Sequence, residues 1–141
     1  MAIRQLSVFV ENKKGSLHEI TDALAAADIN LRSMCVADTS NFGIVRIIAD
    51  DPEKAKDLLD KAGHAANIRE INAFAVPDAP GGLAKVLSLL EGKGVNIEYM
   101  YALITSEIGK AYSVMRTDDT ATTDKLLADA GIELLGEAKL H

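Results

Sequence analysis

The residues of this chain best suited to chemistry are Asp78-Ala79-Pro80-Gly81-Gly82-Leu83, placed between a strand and the start of a helix. Asp and Pro fix a tight turn, and the paired glycines let the backbone approach another molecule closely. Backbone N–H groups at a helix start, aided by the helix dipole, suit a carboxylate or a phosphate. The stretch Asn12-Lys13-Lys14-Gly15-Ser16-Leu17 holds the same place earlier in the chain, with Asn12 standing where Asp78 stands. Asn30 and Asn96 each follow the next helix, and their amides can both donate and accept. The chemistry on offer is recognition of a small polar molecule by backbone and amide groups.

Other chemistries fare poorly. An acyl-phosphate hydrolase of the small ferredoxin-like type needs an Arg in its phosphate loop, and neither stretch has one; Asp78 would also repel the phosphate. No Ser/His/Asp or Cys/His order and no P-loop is present, so catalysis is not expected. His18, His64 and His141 lack metal-ligand spacing, and neither a metal nor a cofactor is expected. A net charge of −6 and 4% aromatic residues argue against a nucleic-acid partner. No apolar run is long enough to span a bilayer, so no membrane partner is expected. The single cysteine, Cys35, fits a reducing compartment, and the absence of an export signal points to the cytoplasm.

The elements that must position the two loops come as a repeat. At an offset of 66, Gly15-Ser16-Leu17 falls on Gly81-Gly82-Leu83, Ile20 on Val86, Leu24 on Leu90, Asn30 on Asn96, Met34 on Met100, Thr39-Ser40 on Thr105-Ser106 and Gly43 on Gly109. At an offset of 68, Leu58-Leu59 and Gly63 fall on Leu126-Leu127 and Gly131, which places a two-residue insertion near Asp118 to Thr120. Matches spread over a whole unit indicate a duplicated domain. In the first copy, strands are expected at Ile3–Val10, Ile29–Ala37, Phe42–Ala49 and Ile68–Val76. A helix begins after Ser16, with Ser16 and Glu19 at capping-box spacing, and a second begins at Asp51-Pro52. A turn is expected at Asp38–Asn41. The second copy repeats the order with a helix at Gly81–Lys93, strands at Val95–Thr105 and Ile108–Arg116, a helix at Thr122–Ala130 and a last strand from Ile132 to about Ala138.

Each copy therefore reads as β-α-β-β-α-β. The fold class is α+β: two tandem ferredoxin-like units, residues 1–70 and 71–141, with antiparallel sheets and helices on one face. Both faces of Phe42–Ala49 are apolar, so the face away from the helices should meet another sheet or subunit, and a homodimer is expected. The closing strand of the first copy overlaps the opening strand of the second near 64–76. Either one long strand serves both units or a strand is exchanged between them.

The pattern resembles the ACT domain, the regulatory module that binds amino acids in allosteric enzymes of amino-acid metabolism. The resemblance covers essentially the whole chain as two copies. Asp78-x-Pro80-Gly81-x-Leu83, followed by Gly94-Val95-Asn96-Ile97, matches the family's loop and second-strand signature. The first copy departs from it, with Lys14 for the Pro and Asp28-Ile29-Asn30-Leu31 for Gly-Val-Asn-Ile. The resemblance implies an effector site where the loop of one unit faces a strand of another. Backbone at Gly15 to Leu17 or Gly81 to Leu83 would hold the ligand, with Asn12, Asp78, Asn30 and Asn96 as side-chain partners. It also implies a non-catalytic sensor of a free amino acid that signals through a protein partner, an enzyme of amino-acid metabolism. Related readings are a regulatory subunit like the small subunit of acetolactate synthase, and a repressor partner like that of the glycine-cleavage system.

Overall fold

The computed structural model describes residues 2–38, 41–104 and 107–140. By backbone contacts the chain divides into one unit of Arg4–Arg69 and another of residues 1–3 with 70–141.

In the first unit, β1 (Ala2–Glu11), α1 (Ser16–Ala26), β2 (Leu31–Asp38), β3 (Phe42–Ala49), α2 (Pro52–Lys61) and the start of β4 (Ala66–Pro77) follow in that order. The strands lie β2-β3-β1-β4, with β1 and β2 both antiparallel to β3. Alternation decides what is buried. Leu6, Val8 and Val10 of β1 and Val45 and Ile47 of β3 turn one face towards Ile20 and Leu24 of α1 and Ala55 and Leu59 of α2. On the other face of β3, Ile48 is buried, whereas Phe42 is 59% exposed and its neighbour Phe9 of β1 is 52% exposed.

The second unit repeats the scheme. The remainder of β4, α3 (Gly82–Leu90), β5 (Ile97–Ala102), β6 (Lys110–Thr117), α4 (Thr120–Asp129) and β7 (Glu133–Leu134) follow, with β4 between β6 and β7 and β5 outside β6. Phe74 and Val76 of β4 and Met115 of β6 pack against Val86 and Leu90 of α3 and Leu127 of α4. One twelve-residue strand, β4, thus closes the first unit and opens the second. That settles the choice between a shared strand and an exchanged one.

Several sequence expectations are corrected. Leu6 pairs with Ile47, and Asn72 pairs with Met115. The offset is therefore already 68 at β6, so the two extra residues lie in the β5–β6 connection and not near Asp118. Gly109 corresponds to Asn41, and its match to Gly43 is a coincidence. The last strand is only Glu133–Leu134, after which Glu137–Leu140 forms a turn of 3₁₀-helix. Helix α3 stops at Leu90, three residues early, and β6 begins two residues after Ile108, which is fully exposed. The tip of the Asp38–Asn41 turn, the matches at Thr39-Ser40 and Thr105-Ser106, and the end of the strand predicted to reach Thr105 lie outside the described residues. Asp51 caps α2 as expected, accepting the Lys54 N–H at 3.0 Å, with Pro52 at the first helical position.

Candidate functional site

The loop from β1 into α1 is held by main-chain bonds. Asn12 donates its N–H to Asn41 O at 3.1 Å, Lys13 to Glu11 O at 3.0 Å, Ser16 to Lys13 O at 3.3 Å and Glu19 to Gly15 O at 2.9 Å. Gly15 occupies the N-cap of α1 with φ 86°, a left-handed conformation that costs most residues about 1–2 kcal/mol. The capping box expected from Ser16 and Glu19 is absent. Ser16 lies inside the helix, and no side chain caps its start. A helix whose first N–H groups lack a side-chain acceptor leaves them to water or to a ligand.

Two cavities open beside this loop. One of about 110 Å³ is lined by Val10, Glu11, Asn12, Lys13, Ser16, Leu17, Val36 and Gly43. Its floor is the helix-facing side of β2 and β3, and its rim is the loop. The other, of about 230 Å³, is lined by Phe9, Val10, Glu11, Lys13, Ser16, Glu19, Gly63 and His64, where the α2–β4 turn meets the start of α1. Glu11 and Lys13 border both, and their side chains form an exposed ion pair at 3.3 Å. Both volumes fall below the 300–1,000 Å³ of clefts that hold drug-sized ligands. They suit a small molecule rather than a drug-sized one.

The second loop has the same skeleton. Asp78 donates its N–H to Gly109 O at 2.9 Å, Ala79 to Pro77 O at 2.9 Å, Gly82 to Ala79 O at 3.1 Å and Lys85 to Gly81 O at 3.0 Å. Gly81 caps α3 with φ 84°. Gly82 is the tight point: a Cβ there would lie 2.4 Å from Pro77 O, a backbone atom that cannot step aside. Asp78, Ala79, Pro80 and Gly81 are exposed, as is Leu83 at 40%, close to the 39% of Leu17. Lys110 reaches Glu133 at 2.9 Å and Glu107 at 3.0 Å, and these two carboxylates, Glu133 first, hold its ammonium well above the ordinary range. Glu107 is held below its usual value, first by the Tyr112 hydroxyl and then by Lys110.

The structure thus brings Asn12, Ser16 and Leu17 together around one cavity, with Gly15 fixing the turn. Asn30 and Asn96 stand apart from these loops within their own units. Asn30 follows α1, whose 11 residues span ~16 Å, so it lies at the far end from Gly15. Its carbonyl accepts the Asp50 N–H at 3.1 Å, as that of Asn96 accepts Asp118 N–H at 3.2 Å. The Asn96 N–H also donates to the Asp118 carboxylate at 2.9 Å, so the main chain is anchored there. Sequence reasoning missed Glu11, Lys13, Val36 and His64. They come from the end of β1, the loop after it, β2 and the α2–β4 turn, and no spacing along the chain announces their meeting.

A family model described as an ACT domain pair matches residues 1–141. The chain belongs to this family. ACT domain pairs are regulatory modules that bind amino acids, and the two βαββαβ units described above are its two domains. A solved protein of Bacteroides thetaiotaomicron is 39% identical, over 99% of this chain and 96% of that one, with a TM-score of 0.92. The regulatory subunit of aspartate kinase from Thermus thermophilus, solved free of ligand, is 15% identical over 90% of this chain and 91% of its own, with a TM-score of 0.67. The corresponding subunit from Thermus flavus is 16% identical over 90% and 91%, with a TM-score of 0.63. At such identities these two subunits share the ACT fold with this pair and establish nothing finer. A search among proteins of curated function returns no match. Among the described residues, no helix of the ACT pair is long and apolar enough to cross a membrane, and no group of three His, Cys, Asp or Glu is arranged to hold a metal ion.

Proposed function

We propose that this ACT domain pair is a non-catalytic sensor that binds a free amino acid at the loop before α1 and passes the signal to a protein partner. The observation that carries the reading is the cavity of about 110 Å³ lined by Asn12, Ser16 and Leu17 at an uncapped helix start. An amino-acid carboxylate matches the N–H groups and the positive end of the helix dipole. The loop from Asp78 through Ala79, Pro80, Gly81 and Gly82 to Leu83 is the second candidate place, with the same backbone geometry. Asn30 and Asn96 serve only a site completed by another copy of the fold.

The mechanism is linkage. Ligand that binds one arrangement of domains or subunits better shifts the population towards it, by no more than its difference in affinity for the two. The output in this reading is a homodimer in the cytoplasm acting on an enzyme of amino-acid metabolism. The exposed Phe9 and Phe42 on the face away from the helices favour a protein partner for that face.

A thermal-shift screen against the twenty amino acids tests the reading. A true effector at ~100 times its Kd adds about 2.7 kcal/mol to the native state, an upward shift of several degrees for domains of this size. One or two amino acids should give it, and Ser16→Phe, which fills the cavity, should abolish it. No shift with any of them at millimolar concentration would sink the sensor reading.

A further inference from the structure

The two cavities beside the first loop meet at a single pair of charges, and that junction says what kind of amino acid fits. Glu11 and Lys13 border both cavities and pair with each other at 3.3 Å, with their side chains 65% and 61% exposed. An exposed ion pair of this kind is worth at most about 1 kcal/mol, so a ligand that offers each partner a substitute separates it easily. An amino-acid head group is such a substitute: its carboxylate can take Lys13 while its ammonium takes Glu11.

What remains is the larger cavity, of about 230 Å³. Its remaining lining is Phe9, Val10, Ser16, Glu19, Gly63 and His64. Besides Glu11, the lining of this cavity carries the carboxylate of Glu19, exposed in the first turn of α1. A carboxylate left facing an occupied cavity favours a cation. Val10, on the helix-facing side of β1, offers apolar surface for a methylene stem. A metal does not fill the role, because no group of three ligating side chains is arranged to hold one among the described residues.

We infer that the first loop binds a basic amino acid, its head group exchanged into the Glu11–Lys13 pair and its cationic side chain directed to Glu19 in the larger cavity. The inference rests on the sensor reading above and sharpens it in two ways. It names a ligand class, and it fixes the stoichiometry at one per chain. At the positions of Glu11, Lys13 and Glu19 the second loop has Pro77, Ala79 and Lys85, which can neither exchange with a zwitterion nor receive a cation.

The test is calorimetry of the full chain with L-lysine, L-arginine, L-leucine and L-glutamate. Lysine or arginine should bind at one per chain, with affinity falling as salt is raised, while leucine and glutamate bind at least about tenfold more weakly. Glu19→Gln, an exposed and nearly isosteric change, should cost lysine about tenfold, the scale of one charge-assisted hydrogen bond, while the ligand-free variant stays folded with a melting temperature lowered by no more than a few degrees, as loss of an acid from a first helical turn allows. Lys13→Met should weaken the binding of every amino acid. Equal or tighter binding of leucine or glutamate, two sites per chain, or unchanged lysine affinity in Glu19→Gln would overturn the inference while leaving an amino-acid sensor intact. If none of the four binds and the wider screen is also blank, the sensor reading itself fails.

Discussion

In the loop before α1, Glu11, Lys13, Lys14 and Ser16 occupy the positions that Pro77, Ala79, Pro80 and Gly82 occupy before α3. The backbones are nearly superimposable in their bonds: the same four N–H groups find the equivalent carbonyls, and the capping glycines sit at φ 86° and 84°. One loop spends its side chains on charge and opens on two cavities; the other spends them on stiffness. Family signature and candidate pocket thus separate, since the motif fits the second loop better while the charged cavities adjoin the first. A motif of turn residues specifies a backbone path, and what the path presents is set by the residues the motif leaves free.

The same divergence runs through the two cores. Leu6 and Ala49 of the sheet and Ala55 of α2 are buried where that helix packs. Their counterparts are Asn72 and Thr117 of the second unit's strands and Thr123 of α4, each fully buried. Asn72 donates its amide to Thr120 O at 3.1 Å and to the Asp124 carboxylate at 2.6 Å, and its own Oδ1 has no partner. The Thr117 and Thr123 hydroxyls bond each other at 2.8 Å. Truncation should expose the contrast. Leu6→Ala should lower stability by about 2–5 kcal/mol through lost burial and a cavity. Asn72→Ala should cost only about 1–2 kcal/mol, because an unpaired acceptor leaves with the donor. Urea unfolding of both variants measures the difference, and equal losses would mean the polar contacts hold α4 as firmly as the apolar core holds α2.

A smaller effect separates the loops themselves. Gly82→Ala places a Cβ 2.4 Å from Pro77 O and should destabilise by about 1–3 kcal/mol as the loop is forced outward. Ser16→Ala, at the equivalent position of the first loop, should stay within about 0.5 kcal/mol. Gly15→Ala and Gly81→Ala place a Cβ in open space and are strained only by their positive φ, so both should cost about 1–2 kcal/mol and by the same amount. Thermal melts of the four variants check the pattern. A tolerant Gly82 would show that the second loop has room to open after all.

Much of this was legible beforehand. The repeat, the order of elements and both loops follow from glycines and apolar residues kept in phase. Asp51-Pro52 announced α2 because cap and first-turn residues act locally. The failures are non-local or fall where two local rules compete. Ser16 looks like a cap, yet Gly15 takes that place because the left-handed turn ahead of α1 uses up the position. The insertion was misplaced because Gly109 happens to match Gly43, and only the pairing of Asn72 with Met115 reveals the true register. His64 and Val36 reach the cavities from a turn and a strand far along the chain, so nothing in the loop's own sequence foretells them.

The finest difference between the units lies in their second helix caps. Asp51 accepts the Lys54 N–H, whereas Asp119 accepts both the Thr122 N–H at 3.0 Å and the Thr122 hydroxyl at 2.6 Å. The Thr122 hydroxyl, then its N–H, holds the Asp119 carboxyl below the ordinary aspartate value. A folded-state value depressed below the unfolded one contributes stability that is fully present above the unfolded value, near pH 3.9, and is lost as pH falls through the folded one. Thr122→Ala removes the larger cause, so a carboxylate-resolved NMR titration should place Asp119 closer to the ordinary range. The variant's stability deficit should accordingly be greatest at neutral pH and shrink on acidification below about pH 4, because a protonated Asp119 no longer favours the hydroxyl. A deficit of constant size across that range would mean that Thr122 acts through packing in the first turn of α4, and that the two caps are electrostatically alike.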